Sequence, residues 1–587
     1  MSNIPDGVGP AVPSKWLFRL KKTARVVWHH AAKHTGVGIV CAVAYFDPGN
    51  WGVDLQAGSE FGYKLLFIVL LSGVFAIFLQ SLASKLGIVT GLASHCRLLL
   101  HDRPKHTLLF RWLGLYPLYA LSEIAIISTD LAELLGSAIA LTLLFPSLPL
   151  WAGTLLTACD VLLILALKDP LRGRPVKMFE LIIAALRQQV IAVLICMCVI
   201  ISKIEVNWGD AFDGFVPSKT IFEHGALYTS VGILGATVMP HSLFIGSALA
   251  TQDRVSKLPE EPLTGSALLD GQSSKMISSR RRARRNCNCC GSFLSQFHLE
   301  PMDPTTEPKS HADRENHSES FIKAHLRHGI ADIVISLLGF AVLINSMILV
   351  LASAVFYYGQ HAEDGSHATA SLFDAHDLIR TVVGPAPCFP VGAAVTFALA
   401  LLCAGQSSSI IATVAGQTVS EGFLRWHVPP IVRRLLTRLL GLIPSMTVAI
   451  AVGRPGIDTM LVASQVVLSI VLPFIVFPLI WLTSSKEVMA VRKTPRSPEL
   501  IYSDSPNSSS KSPKFDDILM STPTPTYSSL DVSNSPGPIP DTEQVAVEEM
   551  LDYSNGKVVA GIGYAIWLIM VLANSYVLIS LMMGEDG

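Results

Sequence analysis

The chain has 587 residues, half of them apolar and only 15% charged, against the roughly 25% charged that is usual in soluble domains. Lysine and arginine together number 44 and aspartate and glutamate 45, so no basic surplus points to nucleic acid as a partner. A mean hydropathy of +0.48 over this length excludes an ordinary water-soluble globule and predicts an all-α polytopic membrane protein embedded in the lipid bilayer.

A bilayer core about 30 Å thick calls for about 20 apolar residues per helical crossing. About eleven stretches meet that need, approximately 35–57, 65–86, 111–140, 150–167, 178–201, 225–250, 328–358, 388–420, 435–452, 457–482 and 558–583. The tail 1–34 is polar, carries Lys15, Arg19, Lys21, Lys22, Arg25 and Lys33, and lacks the charged, apolar and small-residue series of a cleavable leader, so the first span is its own insertion signal. With the N-terminus inside, the tail and the short inside loops hold 16 basic residues. The outside connections hold 5, Lys64, Lys203, Lys219, Arg380 and Arg454. That imbalance predicts a cytoplasmic N-terminus and an outside or lumenal C-terminus.

Two polar inserts, 252–325 and 484–556, interrupt the spans on the cytoplasmic side and read as disordered. The second is rich in Ser, Pro and Thr between Ser503 and Thr526 and buries too little apolar surface to offset its ordering entropy. It is a solvated linker or a phosphorylated segment that meets cytoplasmic regulators. The first holds Arg280, Arg281, Arg282, Arg284 and Arg285 just before Cys287, Cys289 and Cys290. Metal sensing and lipid attraction with palmitoylation both suit that cluster, and a loop of no special role is the plainer alternative. The ten cysteines otherwise form no metal-finger spacing and no disulfide framework.

The first span cannot cross alone. Its apolar run Thr35–Phe46 covers 12 residues, about 18 Å of helix, before Asp47, Pro48, Gly49 and Asn50 intervene. Pro48 disfavours helix at Asp47 and Gly49 eases non-helical dihedrals, so the chain unwinds near mid-bilayer. Backbone freed there must face protein or a cavity, and a carboxylate there needs a cation. The sixth span repeats the pattern: Gly225–Gly235 is apolar, then Ala236, Thr237, Val238, Met239, Pro240 and His241 interrupt it. Spans one to five and six to ten thus each open on a broken helix, the mark of inverted repeats (35–202 and 225–482) with a substrate site between them and an extra helix at 558–583.

Asp47 offers a hard anionic oxygen, Asn50 an amide oxygen, Met239 a thioether sulfur, and freed carbonyls near Ala44 and Ala236 add neutral oxygens. That mixed set suits Mn²⁺, Fe²⁺, Co²⁺ or Cd²⁺ better than Mg²⁺ or Ca²⁺, which prefer oxygen alone. A lone Met in an apolar span is usually packing, and its place between an unwound turn and Pro240 argues for a ligand. His241, titrating near neutrality, suits proton relay or gating as well as packing.

DPGN at 47–50 and MPH at 239–241 resemble the paired signatures of the Nramp family of proton-coupled divalent-metal transporters, which share the leucine-transporter fold. SEIAIISTDLAELLGSAIA at 122–140, GQSSSIIATVAGQTVSEGFL at 405–424 and SQVVLSIVLPF at 464–474 resemble further stretches of that family, so the likeness extends over most of 35–482. The long inserts and eleven spans look more like its fungal or microbial members. The resemblance implies Asp47, Asn50, Met239 and the Ala236 carbonyl as metal ligands, Gln465 joining in some states, and Asn345 as a further candidate. It also implies protons passing Asp47 and His241 toward Glu133 and Asp130. Asp130 and Glu133 stand at i and i+3, on one helix face, and Glu123 seven residues earlier shares it. An ion pair with Arg434 or Arg438 is the structural alternative for these carboxylates. The transport stretch departs from the family with Ser409, Ile411 and Ala412 where Thr, Thr and Gly are expected, mild changes that leave transport in place.

The expected function is alternating-access import of divalent metal into the cytosol, coupled to protons, with no cofactor and no enzyme activity. No phosphate-binding loop or HExxH pair appears in a span. An organic-solute symporter on the same scaffold and a metal-sensing receptor are the rival readings. The plasma membrane and an endosomal or vacuolar membrane suit the sequence equally.

Overall fold

The structure is a computed structural model of the chain, described at residues 38, 41–42, 45, 47–90, 96–97, 100, 106–165, 194–195, 197–223, 225–251, 316–359, 370–382, 392–424, 430–493 and 549–584. The basic tail, most of the fifth span, the arginine and cysteine cluster and the Ser503–Thr526 stretch lie outside these residues, as does Ala44. Helices α1 (Pro48–Phe61), α2 (Leu66–Val89), α3 (Tyr116–Leu144) and α4 (Leu150–Leu165) come first. They are followed by α5 (Ala226–Thr237), α6 (Pro240–Ala250), α7 (Glu319–Ser336) and α8 (Leu343–Ala352). Then come α9 (Leu372–Val382), α10 (Ala393–Leu424), α11 (Pro430–Ala451), α12 (Arg454–Ser484) and α13 (Lys557–Met583).

Among the described residues, 7 helical runs are long and apolar enough to cross a membrane. One of them, Pro48–Val89, has 42 residues, about 63 Å if straight, which is two crossings' worth. It divides at the 3₁₀ turn Gly62–Leu65. Gly62 sits there at φ 61°, a left-handed backbone in which a Cβ would press on the Tyr357 ring at 3.0 Å.

The seventh span begins earlier than hydropathy predicts. Ser318 caps α7, its hydroxyl accepting from the Phe321 N–H, and Glu319 pairs with Lys323 one turn on. The polar first turns of this helix escape a hydropathy window, so residues 319–325 belong to the span and not to the insert. α7 then runs through π-helical Leu337–Val342 into α8. The ends of the second insert are also ordered: β1 (Ala490–Arg492) pairs antiparallel with β2 (Met550–Asp552), Val491 opposite Leu551. The Asn316 amide ties this small ribbon to α7's approach by donating to the Val488 and Ala490 carbonyls at 2.9 and 2.7 Å.

α3 lies at the centre, packed on α10, α12, α4, α11 and α1. Two apolar clusters flank the helix breaks. One gathers Tyr45, Leu79, Phe244, Phe423 and Leu472; the other gathers Trp51, Leu55, Ile139, Phe397 and Leu461. Tyr45 and Trp51 stand on either side of Asp47, so the break sits on the seam between the two. α13 leaves Val558, Leu572 and Met582 exposed, the outward apolar face expected of a helix against lipid.

Glycines let the helices close on the breaks. A Cβ at Gly136 of α3 would lie 2.0 Å from Pro48, and one at Gly235 of α5 would lie 2.0 Å from the Gln465 carbonyl oxygen of α12. Backbone cannot yield as a flexible side chain does, so Gly235→Ala should cost about 1–3 kcal/mol of stability. Gly561→Ala on α13, where a Cβ meets nothing within 4 Å, should be neutral or stabilising by about 0.5–1 kcal/mol. Thermal unfolding midpoints of the two variants in the same detergent check this contrast.

Candidate functional site

The two breaks are built alike. Asp47 (φ −118°, ψ 163°) and Met239 (φ −73°, ψ 122°) are both extended residues that cap a helix whose first residue is proline, Pro48 or Pro240. The residue before a proline is held out of helical geometry, and proline at the first helical position forfeits only an N–H that has no helical partner. Local sequence therefore ends one helix and starts the next at each place. At the second break α5 stops at Val238, and the Ser242 N–H and hydroxyl both turn back to the Met239 carbonyl at 3.1 and 2.7 Å. The Tyr45 hydroxyl meets Ser242 Oγ at 3.1 Å, tying the segment before the first break to the helix after the second.

Asn50 stands at the junction. Its side-chain NH₂ donates to Asp47 Oδ1 at 2.6 Å, to the Tyr45 carbonyl at 3.0 Å and to the Ala236 carbonyl at 3.1 Å. Its Oδ1 accepts from the Asn345 amide of α8 at 3.1 Å. Asp47 Oδ1 also accepts the Asn50 backbone N–H at 3.0 Å. One amide thus collects oxygens from both breaks, with its partially positive end at their centre.

Around it, acceptors go unused. Asp47 Oδ2, Gln465 Oε1 and Asn345 Oδ1 are buried without a hydrogen-bond partner in the structure. Gln465 borders the first break closely enough that a Cβ on Gly49 would meet its amide nitrogen at 2.1 Å and Asp47 Oδ2 at 3.0 Å. Asp47, Met239 and Gln465 have no exposed surface, and Asn50, His241 and Asn345 have about 1%. Buried oxygens without donors are costly unless a cation satisfies them. Among the described residues no group of three or more His, Cys, Asp or Glu is placed to hold a metal. The donor set here is one carboxylate with amides, carbonyls and a thioether.

A second polar chain leads away from the break along α3. His241 Nδ1 lies 3.1 Å from Thr129 Oγ1, and that hydroxyl donates its single proton to the Ala125 carbonyl at 3.0 Å. His241 Nδ1 is then the donor, which leaves the Nε2 lone pair free, and Nε2 has no partner in the structure. Next to Thr129, Asp130 Oδ1 pairs with Arg438 Nη1 of α11 at 2.9 Å, each side chain 5% exposed. Ser409 of α10 accepts from Arg438 and reaches Asp130 Oδ1 at 3.5 Å. Glu133, one turn further along and 1% exposed, has neither oxygen hydrogen-bonded.

Asp47, Asn50, the Ala236 carbonyl, Gln465 and Asn345 are thus gathered around one place, with Met239 buried at the second break. The carbonyl before the first break that Asn50 reaches is that of Tyr45. His241 meets α3 at Thr129, and on the same helix Asp130 pairs with Arg438 one turn before Glu133. Glu123 is half-buried two turns earlier on α3, and the Arg434 side chain lies outside the described residues. Sequence reasoning missed Thr129 and Tyr45, which carry no charge and connect residues far apart in the chain. It also missed Asp54, a carboxylate of α1 that is 1% exposed with Oδ2 unpartnered; an aspartate inside a span was signal enough to find it.

The chain matches the family model described as natural resistance-associated macrophage protein-like over residues 38–502. It is 37% identical over 556 residues to the manganese transporter pdt1 of Schizosaccharomyces pombe, covering 94% of this chain and 86% of that protein. Identity to the iron transporter SMF3 of Saccharomyces cerevisiae is 34% over 559 residues, with coverage of 94% and 97%. Among solved structures, a mutant of the Eremococcus coleocola manganese transporter superposes with a TM-score of 0.61 at 25% identity, over 98% of this chain and 91% of that one.

The Arg438 pair yields a test. Replacing Arg438 by Met leaves Asp130 buried and unpaired, at a cost of about 3–5 kcal/mol. The double variant Asp130→Asn/Arg438→Met removes both charges and should recover much of that loss. Unfolding midpoints of the single and double variants check it.

Proposed function

Proceeding from its membership of the Nramp family, shown by the family match across most of the chain, we propose that this integral membrane protein moves divalent transition-metal ions such as Mn²⁺ and Fe²⁺ into the cytosol together with protons. The single observation that carries the reading is the gathering of Asp47, Asn50 and the Ala236 carbonyl at one buried point between two helix breaks, with unused oxygens of Asp47, Gln465 and Asn345 around it. The Asn50 NH₂ stands where a cation would draw those oxygens together. Metal entry turns that amide so that Oδ1 faces the ion, at the expense of the Asn345 bond, and frees Asp47 Oδ1 and the Ala236 carbonyl for the metal.

Met239 is the selective ligand. A thioether adds little to the binding of Mg²⁺ or Ca²⁺ and more to that of softer ions, so it discriminates against the abundant hard cations. Gln465 on α12 and Asn345 on α8 lie on helices that also pack against α1, and they join or leave the ion as the two repeats rock about it. Metal and proton compete electrostatically for Asp47. The proton leaves by His241, whose free Nε2 accepts it, and passes toward Glu133 and the Asp130–Arg438 pair.

With the N-terminus cytoplasmic, the carrier works at the plasma membrane or an endosomal or vacuolar membrane, and the 252–325 and 484–556 inserts offer surfaces to cytoplasmic regulators. The names of the curated relatives, manganese and iron transporters, favour a metal cargo over an organic solute.

Radiolabelled Mn²⁺ uptake into liposomes holding the full chain, with acid outside, tests the proposal. Asp47→Asn should nearly abolish uptake. Met239→Ala should keep part of it while Ca²⁺ becomes an effective competitor. Unchanged Mn²⁺-over-Ca²⁺ selectivity in Met239→Ala would falsify the filter, and uptake blocked by amino acids but not by Cd²⁺ would overturn the metal reading.

A further inference from the structure

A trough of about 810 Å³ runs along the side of α5 turned away from the helix breaks, walled by α2, α13 and residues 217–222. We propose that it holds one phospholipid, with an acyl chain along α5 and the phosphate at Lys219. The helical walls are mostly apolar, with Ser72, Ser230 and Tyr576 as the polar exceptions, and the one charged lining residue stands at the loop end. Leu71, Phe75, Leu227, Leu234, Ile569 and Leu572 line the helical part, while Lys219 and Ser218 stand at the loop end. Ser230 is polar but already donates to the Ala226 carbonyl at 2.6 Å. The Ser218 hydroxyl is buried with no hydrogen-bond partner, and the exposed Lys219 ammonium has no hydrogen bond or ion pair among the described residues. One unsatisfied hydroxyl and one unpaired cation at the mouth of an apolar slot match a phosphate joined to a hydrocarbon chain.

The depth fits as well. From Ala226 to Leu234 the helix rises about 12 Å, close to the roughly 15 Å of hydrocarbon in one leaflet. Phe222, 80% exposed beside Lys219, has the position of an aromatic ring at the headgroup level. α13 completes the trough while leaving most of its own surface uncovered, with Leu572 62% exposed.

Such a lipid touches the transport machinery through one short helix. Leu227, Ser230, Val231 and Leu234 of α5 face the trough, whereas Gly232 approaches Val53 of α1, and Gly235 meets the Gln465 carbonyl and the Ser469 N–H of α12. The half-helix whose end supplies the Ala236 carbonyl is therefore clamped between the two sites, and a seated lipid restrains it.

Native mass spectrometry of the full chain, delipidated and titrated with dioleoylphosphatidylglycerol, tests this, with dioleoylglycerol as the phosphate-free comparison. One phosphatidylglycerol should remain bound per chain and the diacylglycerol should not. Lys219→Gln, an exposed substitution that leaves the fold alone, should weaken retention about fivefold, the factor for one basic charge near a lipid surface. Ala573→Trp, which fills the trough from α13, should abolish it. Equal retention of the diacylglycerol, or retention unchanged in both variants, overturns the proposal.

Discussion

Two helices stop inside a membrane, and the rest of the molecule is arranged around what that stopping exposes. Pro48 and Pro240 hold Asp47 and Met239 in extended geometry, so carbonyls at Tyr45 and Ala236 lose their helical partners in a medium with no water to replace them. Asn50 answers both with one amide. A hydrogen-bond donor that meets three oxygens is a fair imitation of a cation, and it keeps the freed oxygens satisfied inside the protein. The tight glycine contacts of α3 and α12 at Gly136, Gly49 and Gly235 serve the same end by closing protein around the freed backbone.

The second polar chain depends on the first. His241 follows Pro240 directly, so the break that presents Met239 also fixes where the imidazole points, and Thr129 holds its Nδ1. Asp130 is neutralised by Arg438, whereas Glu133 has no partner for either oxygen. Two carboxylates one turn apart on α3 are therefore unequal in their surroundings.

Much of this was legible in the amino-acid sequence because the breaks are local events. A short apolar run, a proline and an aspartate within a few residues of each other state their consequence without any tertiary knowledge, and a second copy at 236–241 gives the pairing of the repeats. Asn345 stood out less, since an asparagine in an apolar span says only that it needs a partner; its bond to Asn50 spans 295 positions. Thr129 and Tyr45 gave no signal of charge. The start of α7 is hidden from hydropathy because its first turns are held by a Ser318 cap and a Glu319–Lys323 pair, features invisible to an average over apolar residues. The ribbon of β1 and β2 escaped for a like reason, three residues a side being too short to show alternation.

The central claim is that oxygen from the first break and sulfur from the second share one ion. X-ray absorption of the protein loaded with Cd²⁺ reads the shell of that ion directly. The account predicts a single sulfur scatterer among oxygens in the unaltered protein and its loss in Met239→Ala, with binding retained. An all-oxygen shell in the unaltered protein would contradict it.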